Sequence, residues 1–197
     1  MKTLLKITTV IVLFLTTSCM LDGVKGNRNV ITQERTITSD FDAISVSNGI
    51  EVRLTMSDET SLSVEADENL HDLIITEVED GVLRIYSEKN IWSAKSKKVY
   101  LTATDIIKIK ATSGANVYSE NTISADEFDV RTSSGADVKL MLDVSDLICN
   151  ASSGSGASLK GATGSFSANA SSGGGIRYSG NPENVQKNSS SGGSIRG

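Results

Sequence analysis

The chain is short of almost everything that helical or metal-dependent proteins use. Its 197 residues include one proline, one tryptophan, one histidine and two cysteines, and aromatic residues make up 5%. No segment sustains a long helical apolar period, which argues against a helical bundle. The longest apolar run near the start, Ile7 to Leu15, is too short to cross a membrane. His71 is the sole histidine and lies in a polar stretch with no nucleophile motif nearby, so it reads as a surface residue. Clusters of His, Cys, Asp and Glu with zinc spacing are absent. No Gly-rich loop has the strand-then-helix setting of a phosphate cradle. Positive charge is also scarce: 19 basic residues face 24 acidic ones, a formal net charge of −5, which speaks against nucleic acid as a partner. Metal ions and cofactors have no candidate residues.

Glycine and serine are plentiful, and they are ordered. Thr112-Ser113-Gly114, Ser133-Ser134-Gly135, Ser152-Ser153-Gly154, Ser171-Ser172-Gly173 and Ser190-Ser191-Gly192 form a series with gaps of 21, 19, 19 and 19 residues. Aligned on these glycines, the flanks repeat as well. Seven residues earlier stand Ile107, Phe128, Leu147, Phe166 and Val185, and five earlier stand Ile109, Val130, Cys149, Ala168 and Lys187. Three residues after the glycine stand Val117, Val138, Ala157, Ile176 and Ile195. Alternation at period two on both sides of a Ser-Gly corner is strand behaviour. Glycine at the corner permits a backbone angle that a β-carbon resists. A flexible Gly/Ser tail would have no reason to keep these apolar columns. The pattern predicts an all-β solenoid with about 20 residues per coil, in which Ser and Thr columns form hydroxyl ladders. Lys187 falls in a core column, so the last coil is the weakest and its edge offers unpaired backbone groups for self-association.

Residues 1–18 carry Lys2 and Lys6, the short apolar run, and small residues ahead of Cys19. That order marks an export signal. A cysteine directly after Thr16-Thr17-Ser18 resembles a bacterial lipoprotein box, although Leu15 stands four residues before Cys19 rather than three. The resemblance implies acylation of Cys19 and attachment to an envelope membrane, expected to be the outer one, without a spanning helix. Removal of 1–18 takes away two lysines and no acid, leaving 17 basic and 24 acidic residues and a charge of −7. Cys149 would then be the only free thiol, buried and unreactive, and no intramolecular disulfide could form. Residues 19–28 read as a tether and 29–197 as a single domain.

Between them, Gly49 sits in Ile44-Ser45-Val46-Ser47-Asn48-Gly49-Ile50-Glu51-Val52, a further copy of the repeat 65 residues before Gly114. The gap has room for about three coils. Strands are expected at 62–66, 73–78, 82–87 and 98–103, with Asp80-Gly81 as a two-residue hairpin turn. Asp67–Asp72 reads as a turn or short helix, and 89–97 as a loop.

The phrase Ser47-Asn48-Gly49-Ile50-Glu51-Val52, the segment Glu77 to Ile85 and the serial Ser-Gly corners resemble the head GIN domain family, described as “putative auto-transporter adhesins” of unknown activity. The resemblance spans roughly 38–197. It implies a right-handed parallel β-helix-like solenoid on an exported or lipid-anchored protein with a cell-surface binding role. It names no catalytic or ligand residues.

Parallel solenoids also carry polysaccharide-degrading enzymes, which need clustered acids. Here the column two residues after each glycine holds a single acid, Asp137. Asp126 and Asp146 fall at neighbouring repeat positions, and Asp126, Glu127 and Asp129 around Phe128 read as a solvated face. The chain is therefore expected to be a non-enzymatic adhesin or surface-interaction module. The alternatives are a glycan-binding or glycan-degrading protein and a self-assembling structural module. For a surface glycan or protein partner, the candidate contacts are Tyr86, Trp92 and Tyr100, in or beside the least repetitive stretch. Gly49, Gly114, Gly135, Gly154, Gly173 and Gly192 are structural corners.

Overall fold

The computed structural model describes residues 23–161 and 164–197; the export signal and Cys19 lie outside the described residues. The protein is all-β. Its strands are β1 (Val24–Lys25), β2 (Val30–Arg35), β3 (Ala43–Val46), β4 (Glu51–Met56) and β5 (Ser61–Asp67), followed by a short 3-10 helix, Glu68–Leu73. Then come β6 (Ile74–Glu79), β7 (Val82–Ser87), β8 (Ile91–Ser93), β9 (Lys97–Ala103) and β10 (Lys108–Ala111). The serial repeats form β11 (Asn116–Thr132), β12 (Asp137–Ala151), β13 (Gly156–Lys160), β14 (Ser165–Ala170), β15 (Gly175–Ser179), β16 (Asn184–Ser189) and β17 (Ser194–Arg196).

Two parallel ladders run through the molecule. Ahead of the corners, β7, β3, β10, the second half of β11, the second half of β12, β14 and β16 lie side by side. Beyond the corners, β9, β4, the first half of β11, the first half of β12, β13, β15 and β17 do the same. Equivalent repeat positions pair in register, so Ile109 meets Val130, Val130 meets Cys149, and Cys149 meets Ala168. Their inward faces form one core: Val52, Val99, Val117, Val138 and Ile176 oppose Ile44, Leu83, Ile109, Val130 and Cys149, all essentially without solvent exposure. Period-two alternation puts every second residue there, which is why the apolar columns were legible. Towards β16 the core thins to Ala157, Ala168 and Ala170, with Phe166 packed edge-on to Tyr178 at 5.0 Å.

The corners are tight turns with both central residues left-handed, as a type I′ turn requires. At one corner φ is +51° for Ser113 and +73° for Gly114, and the Ala115 N–H donates to the Thr112 carbonyl at 3.1 Å. A β-carbon added at Gly114, Gly135 or Gly154 would meet nothing within 4 Å. Backbone angle alone therefore demands glycine. The corner column is held by the main chain: Gly49 N–H donates to the Ser113 carbonyl at 2.9 Å, Gly114 to Ser134 at 3.0 Å, and Gly154 to Ser172 at 3.0 Å. The expected hydroxyl ladder is largely replaced by this backbone ladder, because the second serine of each phrase points to solvent. One buried hydroxyl pair, Thr132 with Ser155 at 2.8 Å, does form. A side-chain ladder appears elsewhere: Asn169 donates to Asn150 and Asn188 to Asn169, each at 3.1 Å.

The Gly49 repeat is not separated from the series by further repeats. β3 and β4 pair directly with β10 and β11 on one side and with β7 and β9 on the other. The intervening chain thus adds strands to the outer side of the Gly49 repeat, then returns past it to Lys108. Three antiparallel pairings finish that end: β6 with β7 through the Asp80-Gly81 turn, and β5 with both β9 and β2. Expected strands at 62–66, 73–78, 82–87 and 98–103 coincide with β5, β6, β7 and β9. Ordered pairing starts earlier than Asn29, because β1 pairs with β8 in a separate two-stranded sheet.

His71 is buried at 2% exposure, contrary to the expectation of a surface residue. The 3-10 helix turns its ring inward, where Nε2 lies 3.2 Å from the Ile31 carbonyl and 3.3 Å from that of Ala66. The polar neighbours that suggested exposure face outward from the same turn. Cys149 is fully buried as expected, and burial, with a smaller contribution from Asp129, pushes its thiol up to about 12.

Candidate functional site

The aromatic residues singled out from sequence are not brought together. Tyr86 lies on β7 and donates to Glu77 Oε1 at 3.0 Å; Trp92 lies on β8 in the small sheet; Tyr100 lies on β9 and donates to Glu65 Oε2 at 3.2 Å. They do not form a shared aromatic patch, because each belongs to a different strand environment. Period two told which positions face outward but not which strands are neighbours.

The register assembles a different feature on the ladder beyond the corners. Four residues after the corner glycine, or its equivalent, the outward column reads Tyr100, Arg53, Tyr118, Lys139, Ser158, Arg177 and Arg196. Neighbouring members are about 4.8 Å apart by strand spacing. Arg53 lies 4.5 Å and Lys139 5.2 Å from the Tyr118 ring centroid, so that ring is clasped by two cations. Two carboxylates neutralise Arg53: Glu51 at 2.8 Å and Glu120 at 3.1 Å, whose hydrogen bonds raise its pKa further. In the adjacent outward column, Lys98 lies 3.9 Å from Glu65. This half of the column satisfies itself.

The other half does not. Beyond the Tyr118 ring, Lys139 has a loose contact with Asp137 at 3.9 Å, and Arg177 and Arg196, both exposed, have no carboxylate partner among the described residues. They are direct cross-strand neighbours. Like charges so placed destabilise a sheet unless something compensates. Beside them the adjacent outward column is stripped to Gly156, Gly175 and Ser194, leaving an open trough of about 490 Å³ with Lys139, Arg177 and Arg196 along it and Asp137 at one end. Three donor-rich cations along a shallow rigid floor can bind anionic groups, with arginine suited to two-point contact. Sequence reading missed this because arginines 19 residues apart become neighbours only through parallel stacking.

Two other concavities are chemically weaker. One of about 800 Å³ lies under the 36–42 segment and mixes Glu34, Asp40, Asp42 and Asp105 with Phe41 and Ile37. One of about 450 Å³ on the opposite ladder exposes Ile107 and Ile148 beside Glu127, Asp129 and Asp146. There the register pairs Asp146 with Glu127, and Asp126 stands one position away, so Asp126 and Asp146 are not direct cross-strand partners. Asp129 is already engaged by Arg131 at 2.8 Å and Lys108 at 3.7 Å.

Comparison with known proteins adds the family context. The family described as “Putative auto-transporter adhesin, head GIN domain” matches residues 40–197. Among solved structures, a “putative adhesin” from Bacteroides fragilis is similar with a TM-score of 0.64 at 20% identity, covering 88% of this chain and 99% of that one. A “putative lipid binding protein” from Parabacteroides distasonis follows the same fold at TM-score 0.56 and 20% identity, covering 88% and 98%. A “putative adhesin” from Parabacteroides merdae gives 0.52 at 19% identity, covering 89% and 98%. No curated protein matches. That family description names an adhesin and no reaction.

Proposed function

The chain belongs to the family described as “Putative auto-transporter adhesin, head GIN domain”, and on that premise we propose that it is a non-enzymatic, envelope-anchored adhesin that binds an anionic surface glycan along the Lys139–Arg177–Arg196 trough. In this reading Cys19 carries the acyl anchor, and residues 29–197 form a right-handed parallel β-helix-like solenoid. The parallel in-register ladders support that scaffold. The uncompensated arginine pair supports the ligand class, because two adjacent cations on a rigid strand ladder are costly without an anion to offset them. Rigid presentation matters for adhesion, since a groove that needs no ordering loses little free energy on binding.

The test is a glycan array with uronate-, sulfate- and phosphate-bearing saccharides beside neutral ones. Binding should favour the anionic members and fall at least tenfold in R177S/R196S while the thermal midpoint is kept. Equal binding of neutral glycans, or an unaffected double variant, would refute the assignment.

A second reading, self-association, is favoured by one observation. All six residues of β16 are exposed, and Asn188 ends the amide ladder with its Oδ1 open to a further donor. Strand edges of this kind template pairing. A strict monomer by light scattering at millimolar concentration would rule it out.

A further inference from the structure

Resting on the anchored reading above, we infer that the face carrying Trp92 and Lys25 seats against anionic lipid headgroups of the membrane in which Cys19 is held. Trp92 is 60% exposed, the most exposed large apolar side chain among the described residues, and so adds little to the core. Lys25 Nζ lies 5.4 Å from the centre of its ring. The neighbourhood is basic in an otherwise acidic protein. Residues 89–98 contain Lys89, Lys95, Lys97 and Lys98 with no acid, and residues 23–28 contain Lys25 and Arg28 with no acid. The acids close in sequence or contact are Asp22, Glu65, Asp67, Glu68 and Glu88. Asp67 is enclosed by the backbone amides of Arg28, Lys95 and Ser96, Glu65 accepts from Ser96 Oγ at 2.7 Å and lies 3.9 Å from Lys98, and Glu68 accepts from Asn29 Nδ2 at 3.0 Å. Lys97 Nζ donates to the Asn48 carbonyl at 3.0 Å, so the exposed cations without a carboxylate partner among the described residues are Lys25, Arg28, Lys89 and Lys95.

The start of the described chain is clamped to this face. Val24 N–H donates to the Asn90 carbonyl and Gly26 N–H to that of Ser93, both at 2.8 Å. Asn69 Nδ2 donates to the Lys25 carbonyl at 2.9 Å, and Arg28 N–H to Asp67 Oδ2 at 2.9 Å. Gly23 packs so closely on Trp92 that a β-carbon there would lie 2.9 Å from the indole. Only three residues separate Gly23 from Cys19, and the four residue steps reach no more than about 14 Å even when fully extended. The polar layer on each side of a bilayer is itself roughly 5–8 Å deep. An acylated Cys19 therefore holds the Trp92 face within range of the headgroups. The indole suits that depth, with an apolar body and a polar N–H. One lipid-bearing terminus plus a basic patch is the two-signal arrangement that makes attachment stable. The tether supplies a high effective concentration, so a weak headgroup contact suffices. The consequence is orientation: the β1–β8 end faces the membrane.

Trp92 is the only tryptophan in the chain, so its fluorescence reports this face without background. The experiment places the purified acylated protein in phosphatidylcholine vesicles with and without phosphatidylglycerol, and mass spectrometry confirms the state of Cys19. In anionic vesicles the emission should move to shorter wavelength and be quenched by brominated lipid, and 0.5 M salt should reverse this. Each of K25Q, K89Q and K95Q should weaken the contact by about fivefold at low salt. A solvent-exposed emission in anionic vesicles, with Cys19 acylated, would overturn the seating while leaving the anchor intact. Equal shielding in phosphatidylcholine alone would overturn the anionic assignment. An unmodified Cys19 would instead overturn the anchored reading on which the tether argument rests.

Discussion

Replacing Gly154 separates two explanations for the repeating glycine, crowding and backbone angle. A β-carbon at Gly154 would meet no atom within 4 Å, yet φ is +71°. The penalty is therefore conformational. An alanine forced left-handed costs about 1–2 kcal/mol, and a β-branched residue more, about 2–3 kcal/mol. For a domain of this size about 1 kcal/mol moves the midpoint by roughly 2–4 °C. Gly154→Val should then lower Tm by about 4–12 °C and Gly154→Ala by about 2–8 °C. Gly154→Asn should cost least, since asparagine tolerates this region and Asn48 already adopts φ +59° in the first corner. Gly174 provides the contrast. It has no positive φ, but an added β-carbon would run into the Ala151 carbonyl, so Gly174→Ala must shift backbone between adjacent repeats. Differential scanning calorimetry on the four variants reads the order directly. A Gly154→Val midpoint within 1 °C of the parent would refute the angle argument.

Asp67 predicts an acid-sensitive joint between the N-terminal segment and the body. Burial alone would raise its carboxyl, but the backbone amides of Ser96, Arg28 and Lys95 outweigh burial and hold it below the usual carboxylate range. Its contribution is thus full above the unfolded value near 4 and is lost as pH falls through the lower folded value. Asp67→Asn should cost about 2–4 kcal/mol at pH 7, and melts taken down to pH 2 should show the gap from the parent closing. Asn169→Ala interrupts the amide ladder on both sides and should cost about 1–2 kcal/mol, with Asn188→Ala costing less because it removes one bond; chemical denaturation checks the order. Cys149, with its thiol near 12 and no exposure, should resist an aromatic disulfide reagent at pH 8 until the protein unfolds. Rapid labelling of the native protein would contradict that burial.

Much of the architecture was present in the sequence because it is set by local rules. Period-two alternation assigns inward and outward positions, and Ser-Gly phrases mark turns that need left-handed angles. Asp80-Gly81 closes a hairpin for the same reason. Equal spacing also showed which residues are equivalent, so Cys149 could be placed between Val130 and Ala168. Equivalence is not adjacency, however. That the Gly49 repeat touches the Gly114 repeat across 65 residues, with β7 and β9 laid on its other side, depends on long-range pairing that no local pattern encodes. His71 followed the same limit: a polar turn exposes most of its residues, and only the packing of β2 and β5 decided which one turned inward. The candidate site is tertiary in the strictest sense. Lys139, Arg177 and Arg196 are ordinary surface cations in the chain, and Gly156 and Gly175 look like more corner residues. Parallel stacking at one strand spacing turns them into a charged trough, and it separates Tyr86, Trp92 and Tyr100, which sequence proximity alone had grouped.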